Sequence, residues 1–140
     1  MLLVTELVPG AVSLKSLLGD GKKFSLGNAH RFFRQALSGL AYCHSNGVAH
    51  GDLKASNILI TKNTLKISNL GLNSLLQPFS RELLADLESN YYLPPEALRA
   101  STAPLPCDVW ALGVLLFRMV VGQYPFSGNS IPTLLTAIAN

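Results

Sequence analysis

The chemistry of this chain is concentrated in residues 50–57, His-Gly-Asp-Leu-Lys-Ala-Ser-Asn. Asp52 offers a carboxylate that can accept a proton from a hydroxyl. Lys54, two residues on, can neutralise an anionic group in transfer. Asn57, five residues after Asp52, carries an amide oxygen that can hold a hard cation. Residues 48–57 follow the period of neither helix nor strand, so these groups sit on a loop and the flanking elements must position them.

Those elements can be read from the apolar pattern. Residues 2–8 (LLVTELV) suggest a buried strand running into the Pro9-Gly10 turn. In residues 28–46, Phe33, Leu37, Leu40, Ala41 and His44 recur at steps of three and four, one face of a helix that Asn46-Gly47 stops. After the loop, residues 58–61 and 65–68 flank Lys62-Asn63-Thr64 and predict a small hairpin. Residues 69–96 keep no steady period, although Leu83, Leu84 and Leu87 suit a turn or two of helix. Residues 108–121 are apolar almost all round, the pattern of a helix buried on every side. Ser130 is placed to cap a last helix with Pro132 in its first turn. The fold class expected is mainly α with a minor β hairpin.

Composition sets the outer bounds. Of 140 residues, 49% are apolar and 14% charged, against about 25% charged in ordinary soluble domains. That balance excludes an intrinsically disordered chain. It also leaves few charges to cover a globule, so either apolar surface is exposed for a partner or part of the natural domain is missing. The net charge of +3, with no basic run longer than Lys22-Lys23, suggests no nucleic acid partner. Lys22-Lys23 is read as a solvated loop. Cys43 and Cys107 stand apart and read as reduced core residues. The start MLLVTELVPG lacks the basic region and cleavage site of a signal peptide. The longest apolar run, residues 109–122, contains Arg118 and is shorter than the roughly 20 residues a membrane span needs. The expected location is cytoplasmic, with no membrane partner.

Residues 50–57 fit the catalytic-loop pattern H-R-D-L-x-x-x-N of protein kinases at every fixed position except the Arg, where Gly51 stands. Twelve residues after Asn57, Ser68-Asn69-Leu70-Gly71 occupies the place of the D-F-G motif. Tyr92-Leu93-Pro94-Pro95-Glu96 resembles Y-x-A-P-E, residues 108–113 resemble D-x-W-S-x-G, and residues 122–126 resemble G-x-x-P-F. In order and spacing, the chain resembles the C-terminal lobe of a eukaryotic Ser/Thr protein kinase, incomplete at both ends and covering about half of such a domain. Phe33-Arg34-Gln35, Tyr42-Cys43-His44-Ser45 and Leu65-Lys66-Ile67-Ser68 are most similar to the calmodulin-dependent and AMP-activated-kinase-like group.

The resemblance implies a layout and a set of roles. Residues 2–8 correspond to the hinge strand, 48–57 to the catalytic loop, 69–96 to the activation segment and about 108–121 to the central buried helix. Asp52 would take the substrate proton, Lys54 would neutralise the transferring phosphoryl group, and Ser89 would supply the hydroxyl that touches both. Asn57 and Asn69 would face magnesium. Thr5 would be the gatekeeper, Glu6 and Val8 would offer backbone hydrogen bonds to adenine, and Leu59 would lie under the base. His50 and Trp110 would be packed core residues, and Asp108 would bind the backbone of the catalytic loop from below. His30 and His44 carry no partner pattern. The cofactors implied are ATP and Mg2+, with binding expected to be weak or absent, and the partners a protein substrate or scaffold.

Three departures bear on activity. Asn69 replaces the magnesium-holding Asp, which removes a carboxylate where phosphoryl transfer depends on positioning and electrostatics. Gly51 replaces the Arg that pairs with a phosphorylated activation segment, so phosphorylation at Ser74, Ser80 or Ser89 would lack its clamp. Leu70 in place of Phe is a mild change, and Glu96 lacks its expected Arg partner within this chain. The sequence therefore suggests a pseudokinase lobe acting through protein binding. The alternatives are a fragment of an active ATP-dependent Ser/Thr kinase, and a truncated product with no independent function.

Overall fold

A computed structural model describes residues 4–70, 87–99 and 104–140. A short strand β1 (Val12–Ser13) leads directly into helix α1 (Leu14–Leu17), which Ser13 caps by accepting from the N–H of Ser16. A 3-10 turn (Gly19–Gly21) follows, then the long helix α2 (Leu26–Ser45). Ser25 accepts from the N–H of Asn28 to cap α2, so the helix starts two residues before the apolar repeat predicted. Asn46 and Gly47, the latter at φ 71, end it as predicted.

The loop of residues 48–57 closes in a 3-10 turn (Ala55–Asn57) and passes straight into β2 (Ile58–Ile60), which pairs with β3 (Leu65–Ile67) as the predicted hairpin. Thr61 and Thr64 close its turn, and the Arg31 guanidinium of α2 holds its tip through Asn63 Oδ1 at 2.9 Å. The strand expected over residues 2–8 is corrected: residues 4–8 are irregular, with Val4 82% and Leu7 84% exposed. The strand on that side is β1, whose Val12 and Ser13 pair with Ile60 and Leu59 in a three-stranded antiparallel sheet of order β1-β2-β3. LLVTELV is apolar enough for a strand, but no neighbouring strand takes up the backbone of residues 4–8 among the described residues.

Beyond the sheet come α3 (Leu87–Asn90), a 3-10 turn (Pro95–Arg99), helix α4 (Pro104–Val121) and helix α5 (Ile131–Ala139). Ser130 and Thr133 form a reciprocal capping box at the start of α5, with Pro132 in its first turn as predicted. Leu83 and Leu84 lie outside the described residues, as do Ser74 and Ser80.

The core joins Leu14 and Leu18 of the α1 region, Phe32, Ala36 and Leu40 of α2, Ile58, Ile60 and Leu65 of the sheet, and Leu112, Leu115 and Met119 of α4. Leu53 and Ala55 of the loop are buried in the same cluster, so the loop is anchored from below by its own apolar residues. Burying one such Leu contributes about 1.5–3 kcal/mol. Helix α4 is not buried on every side: Val109 is 60% exposed, and Pro106, Gly113, Phe117 and Val121 continue the same stripe. A helix apolar all round here exposes one face, and Leu26, Leu37 and Tyr42 of α2 are exposed as well. Cys43 and Cys107 are half-buried and form no disulfide. No helix among the described residues is long and apolar enough to cross a membrane.

Candidate functional site

The loop between α2 and β2 is fixed from three directions. From below, Asp108 of α4 is almost fully buried and accepts from the backbone N–H of His50 at 2.7 Å and of Gly51 at 2.9 Å. Its Oδ2 also meets His44 Nε2 at 2.9 Å, so the histidine read as lacking a partner pattern has one, brought from α2 to α4 by packing alone. At the centre, fully buried His50 accepts from the N–H of Asp52 through Nδ1 and donates from Nε2 to the Ser68 carbonyl at 2.9 Å. Both ring nitrogens are thereby occupied, which makes His50 the brace between the loop and the end of β3.

The third anchor is Tyr92. Its hydroxyl accepts from the N–H of Ala55 at 3.2 Å and from the Arg118 guanidinium at 3.3 Å. Arg118 also donates to the Tyr124 hydroxyl at 3.0 Å and lies over that ring, and Tyr91 stacks on Tyr124 with centroids 3.9 Å apart. Burial pushes the Tyr92 and Tyr124 hydroxyls above the usual phenol range. Sequence reasoning registered Arg118 only as a charge within an apolar run; a buried Arg with two tyrosines at hydrogen-bond distance was the part it missed. The signal was there: a lone Arg in the last turn of an otherwise apolar helix requires a polar partner.

On this frame the predicted catalytic groups converge. Lys54 Nζ lies 2.9 Å from Asp52 Oδ2 and donates to Ser89 Oγ at 2.8 Å, and Ser89 Oγ in turn donates to Asp52 Oδ1 at 3.1 Å. Asn57 Nδ2 donates to the main-chain carbonyl of Asp52 at 2.8 Å and to Asp52 Oδ2 at 3.2 Å. Both carboxylate oxygens of Asp52 therefore already accept hydrogen bonds. Ser89 is buried, which places its hydroxyl inside the network rather than at the surface.

Asn57 and Asn69 do meet, but as donor and acceptor: Asn69 Nδ2 donates to Asn57 Oδ1 at 2.8 Å. A magnesium ion asks for hard, preferably anionic oxygens arranged around it. Here one of the two oxygens is already satisfied, and the facing group is an N–H. The pair as arranged, an N–H facing an oxygen, does not fit the cation. Asn69 stands at φ 61, a left-handed conformation that Asn tolerates better than most residues. Among the described residues no cluster of three His, Cys, Asp or Glu side chains has metal-site geometry.

The remaining predicted residues lie beside this centre. Leu59 is half-buried on the sheet face opposite Ile58 and Ile60, and its cross-strand neighbour is Lys66. The Glu6 carboxylate pairs with Lys66 Nζ, which brings the 4–8 segment over that same face. The Val8 carbonyl accepts from the N–H of Ala11 at 3.2 Å and closes the Pro9-Gly10 turn. Glu96 is exposed, and Gly51 is exposed at φ 77.

Comparison with known proteins gives a consistent picture. Residues 1–139 match the protein kinase domain. The chain is 38% identical over 122 residues to the serine/threonine-protein kinase STK11 of Rattus norvegicus, covering 84% of this chain and 28% of that protein. It is 39% identical over 127 residues to the probable serine/threonine-protein kinase MARK-B of Dictyostelium discoideum, covering 89% of this chain and 18% of the relative. It is 37% identical over 129 residues to the human NUAK family SNF1-like kinase 1, covering 91% and 19%. The chain thus spans less than a third of the length of each of these relatives.

Proposed function

Because this chain belongs to the protein kinase domain family, of the Ser/Thr type, we propose that it is a catalytically impaired kinase-like lobe that works by binding other proteins. The observation that carries this reading is the residue at position 69. A neutral amide stands where phosphoryl transfer needs a carboxylate, and it is spent on Asn57 Oδ1. The two carboxylate oxygens of Asp52 are engaged by Lys54, Ser89 and Asn57, so the loop is held together by its own side chains. The exposed apolar stripe of α4 supports a protein-binding role.

In this reading Asp52 and Lys54 chiefly organise the loop. A nucleotide, if bound, would rest on Leu59 with the backbone of Glu6 and Val8 alongside, and would be held weakly. The kinase relatives' use of ATP and Mg2+, the binding partner and a cytoplasmic location are carried over here as proposals. Phosphate transfer from radiolabelled ATP to a generic protein substrate should be undetectable with this chain. Transfer that an Asp52→Asn variant fails to perform would overturn the reading.

A specific observation favours a second reading, a piece of an active Ser/Thr kinase. Asp52, Lys54 and Ser89 form a closed set of contacts with distances between 2.8 and 3.1 Å. That arrangement suits a proton acceptor, a phosphoryl-neutralising cation and a positioning hydroxyl. It requires a further chain segment with a phosphate-covering Gly-rich loop and a lysine, which sequencing of the full transcript would reveal.

A further inference from the structure

This inference rests on the reading of the site above and concerns what takes the place of its cation. Asn57 is buried, and its Nδ2 faces two oxygens of Asp52, the main-chain carbonyl and Oδ2. An ionised carboxylate and a carbonyl only accept, so the Asn57 amide is oriented unambiguously, with Oδ1 turned toward residue 69. Whatever stands at 69 must therefore present a donor or share a cation with Asn57. A carboxylate there would set oxygen against oxygen, and two acceptors need a positive centre between them. Asn69 meets Oδ1 with Nδ2 at 2.8 Å and supplies the hydrogen itself.

We propose that the Asn69 side-chain amide replaces a divalent cation as the link between residues 57 and 69, so that this loop is organised without Mg2+ or Mn2+ and gains nothing from either. The substitution then changes more than ligand charge, because it closes the position where a cation would sit with a hydrogen bond. The short span of backbone between β3 and residue 69 helps: Ser68 donates from both its N–H and its hydroxyl to the Asn57 carbonyl, at 2.9 and 3.0 Å. Asn69 is thereby delivered to Asn57 by the adjoining residue whether or not an ion is present.

The test is a set of thermal melts of the 140-residue chain in EDTA and in millimolar Mn2+, for the wild type and for Asn69→Asp, Asn69→Ala and Asn57→Ala. The wild-type midpoint should be the same in both solutions, since only an ion that binds the native state raises it. Asn69→Asp should melt lower than wild type in EDTA and recover in Mn2+. Asn69→Ala should melt lower in both. A wild-type midpoint that rises in Mn2+ and loses the rise in Asn57→Ala overturns the proposal. So does an Asn69→Asp protein that stays low in Mn2+. If Asn69→Asp does not fold, the double variant Asn57→Ala/Asn69→Ala decides, because the strain of Ala at φ 61 is the same with either residue at 57: losses that simply add overturn the proposal, and a double loss smaller than the sum of the two single losses supports it. These outcomes are separable from the reading of impaired catalysis. Phosphate transfer by a chain whose melt ignores Mn2+ would remove that reading and leave this one standing.

Discussion

The Asp108 carboxylate accepts from the backbone N–H of His50 at 2.7 Å across 58 residues of sequence, and through it helix α4 carries the loop of residues 48–57. The two oxygens divide three donors, His50 N–H and His44 Nε2 at Oδ2 and Gly51 N–H at Oδ1. An Asn at this position fails in either orientation, because its NH2 must face at least one backbone N–H. Asp108→Asn should therefore cost about 3 kcal/mol of stability, close to the cost of Asp108→Ala, since buried donors are orphaned in both. Urea unfolding of the two variants checks this; an Asn variant within about 1 kcal/mol of wild type would show that the loop is held elsewhere.

Restoring the family's Arg at position 51 should weaken the fold. Gly51 sits at φ 77 with no atom within 4 Å of where a Cβ would lie, so the penalty is one of backbone conformation alone. Gly51→Arg and Gly51→Ala should each lose about 1–2 kcal/mol and agree with one another. A large difference between them in denaturant midpoints would point to a side-chain contact instead.

A second glycine is set by space as well as by conformation. Gly122 ends α4 at φ 86, and a Cβ there would lie 2.4 Å from the Gly21 carbonyl oxygen. That backbone is tied to α4 three residues on, where Phe24 N–H is bonded to the Met119 carbonyl at 2.9 Å. Gly122→Ala should cost about 3 kcal/mol or more, beyond the Gly51 variants, and should lower the thermal midpoint accordingly.

The tyrosine pair around Arg118 predicts sensitivity to alkali. Burial raises both Tyr92 and Tyr124 above the ordinary phenol value of 10.0. Below that pH both the folded and the unfolded chain hold the phenol protons, and stability is complete. Above it the unfolded chain releases protons that the folded chain retains, so stability falls as pH rises. Denaturant midpoints should decline from about pH 10 upward, and Tyr124→Phe should flatten that decline. An unchanged slope in Tyr124→Phe would assign the alkaline loss to other groups.

The helices α2, α4 and α5 and the hairpin are legible in the residues because each announces itself locally, through a period of three and four, a capping serine, or two apolar runs around a polar turn. The polar groups of the candidate site are legible for the same reason: Asp52, Lys54 and Asn57 lie within six residues on one loop, and local chain geometry brings them together. Ser89 and Asn69 could be named only by resemblance to a family, since nothing in their immediate surroundings marks them.

What tertiary structure alone decided are the choices that depend on a partner far along the chain. Residues 2–8 are apolar enough for a strand, yet a strand needs a neighbour's backbone, and β2 takes Val12 and Ser13 instead. The all-round apolar pattern of α4 says nothing about how many faces find cover, and one does not. His44 becomes a partner of Asp108 because α2 packs against α4. Most of all, the sequence specifies an Asn at 69 but not which end of its amide faces Asn57. The Asp52 oxygens settle that by fixing the Asn57 amide first, and hydrogen-bond direction propagates from there.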